Sequence, residues 1–105
     1  MAEITWTEPA IADLEAIADY IAMENLAAAG ALVRRIYDHV SQLADHPESG
    51  PRPRELGQRN RYRQIVEPPW RVFYRHDGTR VYVVHVMRTE RLLRRSLLKR
   101  VKPEA

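Results

Sequence analysis

The dipeptide Asp77-Gly78 constrains this chain more than any other feature, because it stands between two β-rich runs, VFYRH and TRVYVVHV. A type I′ turn needs positive φ at both central residues, and Asp-Gly provides that with little strain. A two-residue loop there sets Tyr74 opposite Val81, Val72 opposite Val83, Phe73 opposite Tyr82 and Arg71 opposite Val84. One face of the hairpin then carries Val72, Tyr74, Val81, Val83 and His85 and is largely apolar. The other carries Arg71, Phe73, Arg75, Arg80, Tyr82, Val84, Val86 and Arg88, with guanidinium groups between apolar side chains. A strand at 61–67 precedes them, and Pro68-Pro69 is expected to interrupt its pairing, since proline donates no ladder bond. The pattern predicts an antiparallel sheet with one face on a core and an arginine-aromatic face turned outward. A lone arginine on a sheet usually serves solubility. A row of them among aromatic rings suits an acidic partner.

Upstream, residues 3–6 (EITW) alternate and read as a strand on the edge of that sheet. Ile11, Leu14, Ile17, Ala18 and Ile21 recur at helical spacing, with Asp13, Glu15, Asp19 and Glu24 on the other side, predicting a helix over about 8–23. Pro9 is tolerated in its first turn, where amide donors lack partners. Asn25 suits the N-cap of a second helix running to about Ala44, with the stripe Ala29, Leu32, Val33, Ile36, Val40 and Leu43. So short a connection makes the two an antiparallel helical hairpin, and Pro47 ends it. The loop at 46–57, HPESGPRPRELG, is long enough to suggest a function or mobility, and it carries Arg52 and Arg54. After the sheet, Thr89 or Glu90 is placed to cap a basic C-terminal helix or tail. It bears Leu92, Leu93, Leu97 and Leu98 with Arg91, Arg94, Arg95, Lys99 and Arg100. The order predicts a single α+β domain over 1–105: an N-terminal strand, then a helical hairpin packed on a small antiparallel sheet, then the basic tail.

Charge divides the chain in two. Residues 1–51 hold two basic side chains against nine acidic, a balance of −7. Residues 52–105 hold fifteen basic against five acidic, a balance of +10, and thirteen of the fifteen are arginine. The helices are therefore expected to be acidic, and the open sheet face positive. Arginine favours geometrically specific contacts to carboxylate, phosphate or aromatic faces.

The inventory of reactive groups is thin. With no cysteine, neither a disulfide framework nor a thiolate metal site is possible. The four histidines lack metal-ligand spacing, no phosphate-cradling glycine loop exists, and Ser41, Ser49 and Ser96 have no adjacent activating pattern. No metal or cofactor is expected. His39 and His46 read as solvated, His76 as a turn residue and His85 as a packed sheet histidine. His85 becomes a candidate general acid only if it opens onto the arginine face beside Arg88 and Glu90. The chain has no apolar run of about 18 residues and no N-terminal signal pattern, which predicts a soluble, cytoplasmic protein without membrane contact.

Three segments, WTEPAIADLEAIADYIA (6–22), LADHPESGPRP (43–53) and YRQIV…WRVFYRHDGTRVYVVHVMRTERLL (62–93), together resemble the RelE/ParE superfamily of bacterial type II toxins. The resemblance is closer to the ParE branch, whose members share the helical hairpin, a PESG-like loop and a YRVxYR-x-DG hairpin. It implies a small toxin neutralised by a cognate antitoxin in a toxin–antitoxin hetero-oligomer. ParE-type toxins poison DNA gyrase, without an enzymatic activity of their own, whereas RelE-type toxins cut messenger RNA on the ribosome. RelE-type cleavage uses basic side chains on the sheet and often a late Tyr or His. Here RTER (88–91) resembles a KRER run with Thr89 in place of one arginine, and no Tyr or His follows His85. The gyrase-binding reading assigns target contact to Arg71, Arg75, Arg88 and Arg91. The ribonuclease alternative assigns Arg63, Arg71, Arg88 and Arg91 to phosphate, with His85. In either case the antitoxin is expected on Leu92, Leu93, Leu97, Leu98, Arg94 and Arg95, a leucine strip otherwise exposed.

Overall fold

A computed structural model describes residues 1–57, 60–91, 93 and 98. The elements run β1 (Glu3–Trp6), α1 (Glu8–Ala22), α2 (Leu26–Ser41), 3-10 turns at Gln42–Ala44 and Arg54–Leu56, then β2 (Tyr62–Glu67), β3 (Trp70–Asp77) and β4 (Arg80–Arg88). This is the expected α+β order. The sheet order is β1-β4-β3-β2, with β1 parallel to β4 and the other pairs antiparallel.

The helices form for the reasons their sequences offer. The Asn25 side chain accepts the Ala28 N–H at 3.0 Å, an N-cap of the ordinary kind. From α2 and the 3-10 turn after it, Ala29, Leu32, Ile36, Val40 and Leu43 are buried. Leu32, Ile36, Val40 and Leu43 pack with Ala10, Ile65, Trp70, Val72, Tyr74, Val81, Val83 and Val86 in the main core. In α1, Leu14, Ile17 and Ile21 pack against that core as expected, while Ile11 is exposed and Ala10 is fully buried. The Thr7 hydroxyl donates to the Val83 carbonyl at 2.7 Å and its N–H to the same oxygen, so it continues the strand pairing and makes no side-chain cap.

Three expectations about the sheet are corrected. First, Asp77 pairs with Arg80, so the loop residues are Gly78 and Thr79, with only Gly78 at positive φ (63°). Second, Pro68-Pro69, with a cis peptide, closes a hairpin in which Glu67 still pairs with Trp70, so β2–β3 pairing is unbroken. Third, β4 holds a bulge: Tyr74 pairs with Val83 but Phe73 with His85, leaving Val84 unmatched. Side chains alternate along a strand, so one extra residue reverses which face each later side chain takes. Val86 thus joins the helix-side core, and Arg88 falls opposite Trp70 while Arg71 falls opposite Met87. Arg71 and Arg88 therefore lie on different faces.

The second face of the sheet is not open either. Phe73, Val84 and Met87 are covered by Leu56, Leu93 and Leu98 in a second buried cluster. Leu93 and Leu98 are thus packed against their own sheet.

Candidate functional site

The loop before β2 is held along the outer edge of the sheet. Gly50 donates its N–H to the Tyr74 hydroxyl at 3.0 Å, and Gln64 donates its N–H to the Pro51 carbonyl at 2.9 Å. The Arg63 guanidinium donates to the carbonyls of Glu48 and Gly50 at 3.1 and 2.9 Å. Arg63, one of the nuclease candidates, is thereby engaged with the loop backbone. Burial of the Tyr74 hydroxyl raises its pKa, with the Gly50 N–H opposing.

That loop delivers Glu55 to the second face, where it meets Arg71. One guanidinium nitrogen, Nη2, lies 2.5 Å from Glu55 Oε2, and Nη1 lies 3.3 Å from Glu55 Oε1 and 3.2 Å from Gln64 Oε1. The Arg71 guanidinium also sits over the Phe73 ring, 4.9 Å from its centroid, and donates to the Arg91 carbonyl. Glu55 Oε2 further accepts the Leu93 N–H at 3.0 Å. The Arg71 hydrogen bonds hold the Glu55 carboxyl at a pKa of about 2, below its ordinary 4.5.

Two of the four arginines expected to face outward are thus inside. Arg71 is 7 % exposed and Arg75 2 %. Arg75 stacks over Tyr82, 4.3 Å from the ring centroid, and donates to Asp77 at 3.2 Å. Arg80 is exposed but ion-paired with Glu3 at 2.7 Å. Arg88 and Arg91 do reach solvent, on the turn that leaves β4. Arg88 lies over Trp70, 5.2 Å from the ring centroid, and bonds Glu90 through Nε. That bond lowers the pKa of Glu90 and keeps it ionised. The turn is tied at Thr89, whose N–H reaches the Pro69 carbonyl at 2.9 Å, and at Arg91, whose N–H reaches the Arg88 carbonyl at 3.2 Å.

His85 goes elsewhere. It is 4 % exposed and stacks on Phe73 at 5.9 Å between centroids, and its Nδ1 lies 2.5 Å from Asp13 Oδ2 on α1. The same Asp13 oxygen accepts the Val86 N–H at 3.1 Å. His85 does not open onto Arg88 and Glu90. His39, expected to be solvated, bonds Glu67 at 3.0 Å, while His76 flanks the turn as expected and lies 3.6 Å from Glu48. Among the described residues no cluster of three potential metal ligands exists.

Of the leucines assigned to the antitoxin, Leu93 and Leu98 are buried, so they do not form the exposed strip expected of them. Leu92, Leu97, Arg94 and Arg95, with most of the predicted terminal helix, lie outside the described residues. Among the described residues an exposed apolar groove lies on the helical hairpin. It has a volume of about 360 Å³ and is lined by Trp6, Ile11, Leu14, Ala18, Val33 and Tyr37 with Glu15 at its side, and Trp6 and Tyr37 stack at 6.4 Å between centroids.

The sequence over residues 4–93 matches the family model described as the ParE toxin of the type II toxin-antitoxin system, parDE. The chain belongs to the ParE toxin family. It is 34 % identical over 93 residues to Toxin RelE2 of Caulobacter vibrioides, covering 88 % of this chain and all of that protein. It is also similar to a solved structure of the chromosomal ParDE TA system from P. aeruginosa. That likeness has a TM-score of 0.70 and 25 % identity, covering 86 % of this chain and 98 % of that one. The chain is therefore a toxin-family member of a type II toxin–antitoxin system.

Sequence reasoning missed Glu55, Asp13 and Gly50 as organising residues. Glu55 left a faint signal as one of only five acidic residues in the basic half. Asp13 left none, because on a helical wheel it falls with the solvated acids.

Proposed function

We propose that this ParE-family toxin inhibits growth by binding DNA gyrase, with Arg88 and Arg91 as the side chains that touch the target. The observation that supports gyrase binding over RNA cleavage is the position of His85. The one imidazole on β4 is enclosed between Asp13 and Phe73, away from the exposed arginines. The Glu90 carboxylate beside them is engaged by Arg88. A cleaving site needs a group that moves a proton at the scissile phosphate. The Arg88–Arg91 turn offers fixed positive charge, which suits carboxylates on a protein surface. A supercoiling assay with purified gyrase, run beside a cell-free translation reaction scored for mRNA cleavage, tests the choice. Loss of supercoiling with intact mRNA is the expected result.

The partner reading follows from the same surfaces. A cognate antitoxin has the hairpin groove as an apolar contact, since the described C-terminal leucines are already covered. A solvent-facing apolar groove on a small protein marks an interaction site. Co-expression with a cognate antitoxin and pull-down of an Ile11→Asp, Val33→Asp variant checks this, with loss of co-purification expected.

A further inference from the structure

We propose that the buried Arg71–Glu55 pair is a positioning device for the exposed Arg88–Arg91 turn, so that Arg71 serves target binding through Arg91 and never touches the target. The inference rests on the reading that Arg88 and Arg91 make that contact.

Arg71 has no hydrogen-bonding direction left for a ligand at its two terminal nitrogens. Nη2 serves Glu55 and the Arg91 carbonyl, and Nη1 serves Glu55 and Gln64. One face of the guanidinium rests on Phe73. Its side chain is 9 % exposed. What the pair holds is backbone: Arg71 takes the carbonyl of Arg91, and Glu55 takes the N–H of Leu93. Both grips fall on the stretch that carries Arg91, just past the last strand residue. The other backbone ties described nearby, Thr89 to Pro69 and Arg91 to Arg88, close the turn on itself and on the strand start. The pair adds the grip on the far side of Arg91, and without it that side of the turn is no longer anchored to the sheet.

An ion pair is a poor choice for stability alone. Removing two charges from water offsets most of their attraction, and apolar replacements of similar volume often leave stability unchanged. Its advantage is geometric, because the planar guanidinium fork accepts only a few arrangements of partners. The pair borders the apolar cluster of Leu56, Phe73 and Met87, and what it adds there is a grip on the backbone it orients.

The test is a double variant, Arg71→Met with Glu55→Met, in the full chain. Thermal unfolding, hydrogen exchange at the Leu93 amide and growth inhibition on induction without antitoxin are measured together. The expected result is a folded protein with a melting temperature near wild type, at least about tenfold faster Leu93 exchange, and inhibition weakened by about tenfold or more. Arg71→Lys is expected to behave similarly, since an ammonium cannot span Glu55, Gln64 and Arg91 together. Full toxicity with fast Leu93 exchange would overturn the proposal, as would a loss that only tracks the folded fraction. If the double variant does not fold, Arg71→Lys is read by the same criteria. The Arg88→Ala, Arg91→Ala variant separates the two ideas. If it stays toxic, the target-face reading fails; if it alone loses toxicity while the Met variant keeps it, only the positioning role fails.

Discussion

Gly50 has no room for a side chain. A Cβ there would sit 2.3 Å from the Gln64 carbonyl oxygen and 2.8 Å from the Tyr74 hydroxyl. The first neighbour is strand backbone, which cannot swing aside. Gly50→Ala should therefore push the loop off the sheet edge and destabilise by about 1–3 kcal/mol, the usual scale of overpacking; a denaturant midpoint checks it. Glu55 gives a second prediction at this scale. Its carboxyl titrates near 2 when folded and near 4.5 otherwise. A depressed folded value means the unfolded chain takes up the proton first, so the contribution is present above about pH 4.5 and lost as pH falls toward 2. Glu55→Gln should flatten the acid limb of the stability profile between those values, measured by thermal unfolding at stepped pH. Arg71 and Arg75 show why single residues were hard to read. A guanidinium on a strand looks solvated in sequence, and nothing local announces that Glu55, sixteen residues away, will meet it.

Elements were more legible than residues because periodicity reports burial directly. The α2 stripe was readable in the sequence, and its centre, Ile36, is fully buried between Leu32 and Val40. Ile36→Ala should cost about 2–5 kcal/mol in equilibrium unfolding. The strands and the Gly78 turn were also legible in kind. Their register was not. A bulge at Val84 needs no special residue, yet it moves Val86 into the main core and puts Arg88 across from Trp70. Asp13 supplies a link no periodicity could show, joining α1 to β4 through His85 and the Val86 N–H. Past Trp6 and Thr7 the parallel strand has ended, and this carboxylate takes the place of its next carbonyl. Asp13→Ala should leave buried donors without an acceptor and destabilise by about 1–3 kcal/mol, with faster amide exchange at Val86.

At the scale of the whole molecule the charge asymmetry survives, but its display differs from expectation. The basic half folds its central arginines inward around carboxylates and aromatic rings, and presents Arg88 and Arg91 at one end of the sheet. The helical half presents an apolar groove beside Trp6 and Tyr37. Two separate surfaces suit the proposed toxin, which meets one partner to be silenced and another to act. Among the described residues no helix is long and apolar enough to cross a membrane. The most direct measurement is inhibition of supercoiling by purified gyrase, comparing the wild type with the Arg88→Ala, Arg91→Ala variant at matched melting temperature. Exposed substitutions of this kind usually alter stability by less than about 0.5 kcal/mol, so the comparison is fair. Inhibition by the wild type and its loss in the variant is the predicted result. A wild type that leaves supercoiling untouched while cutting mRNA in a translation reaction would contradict the account.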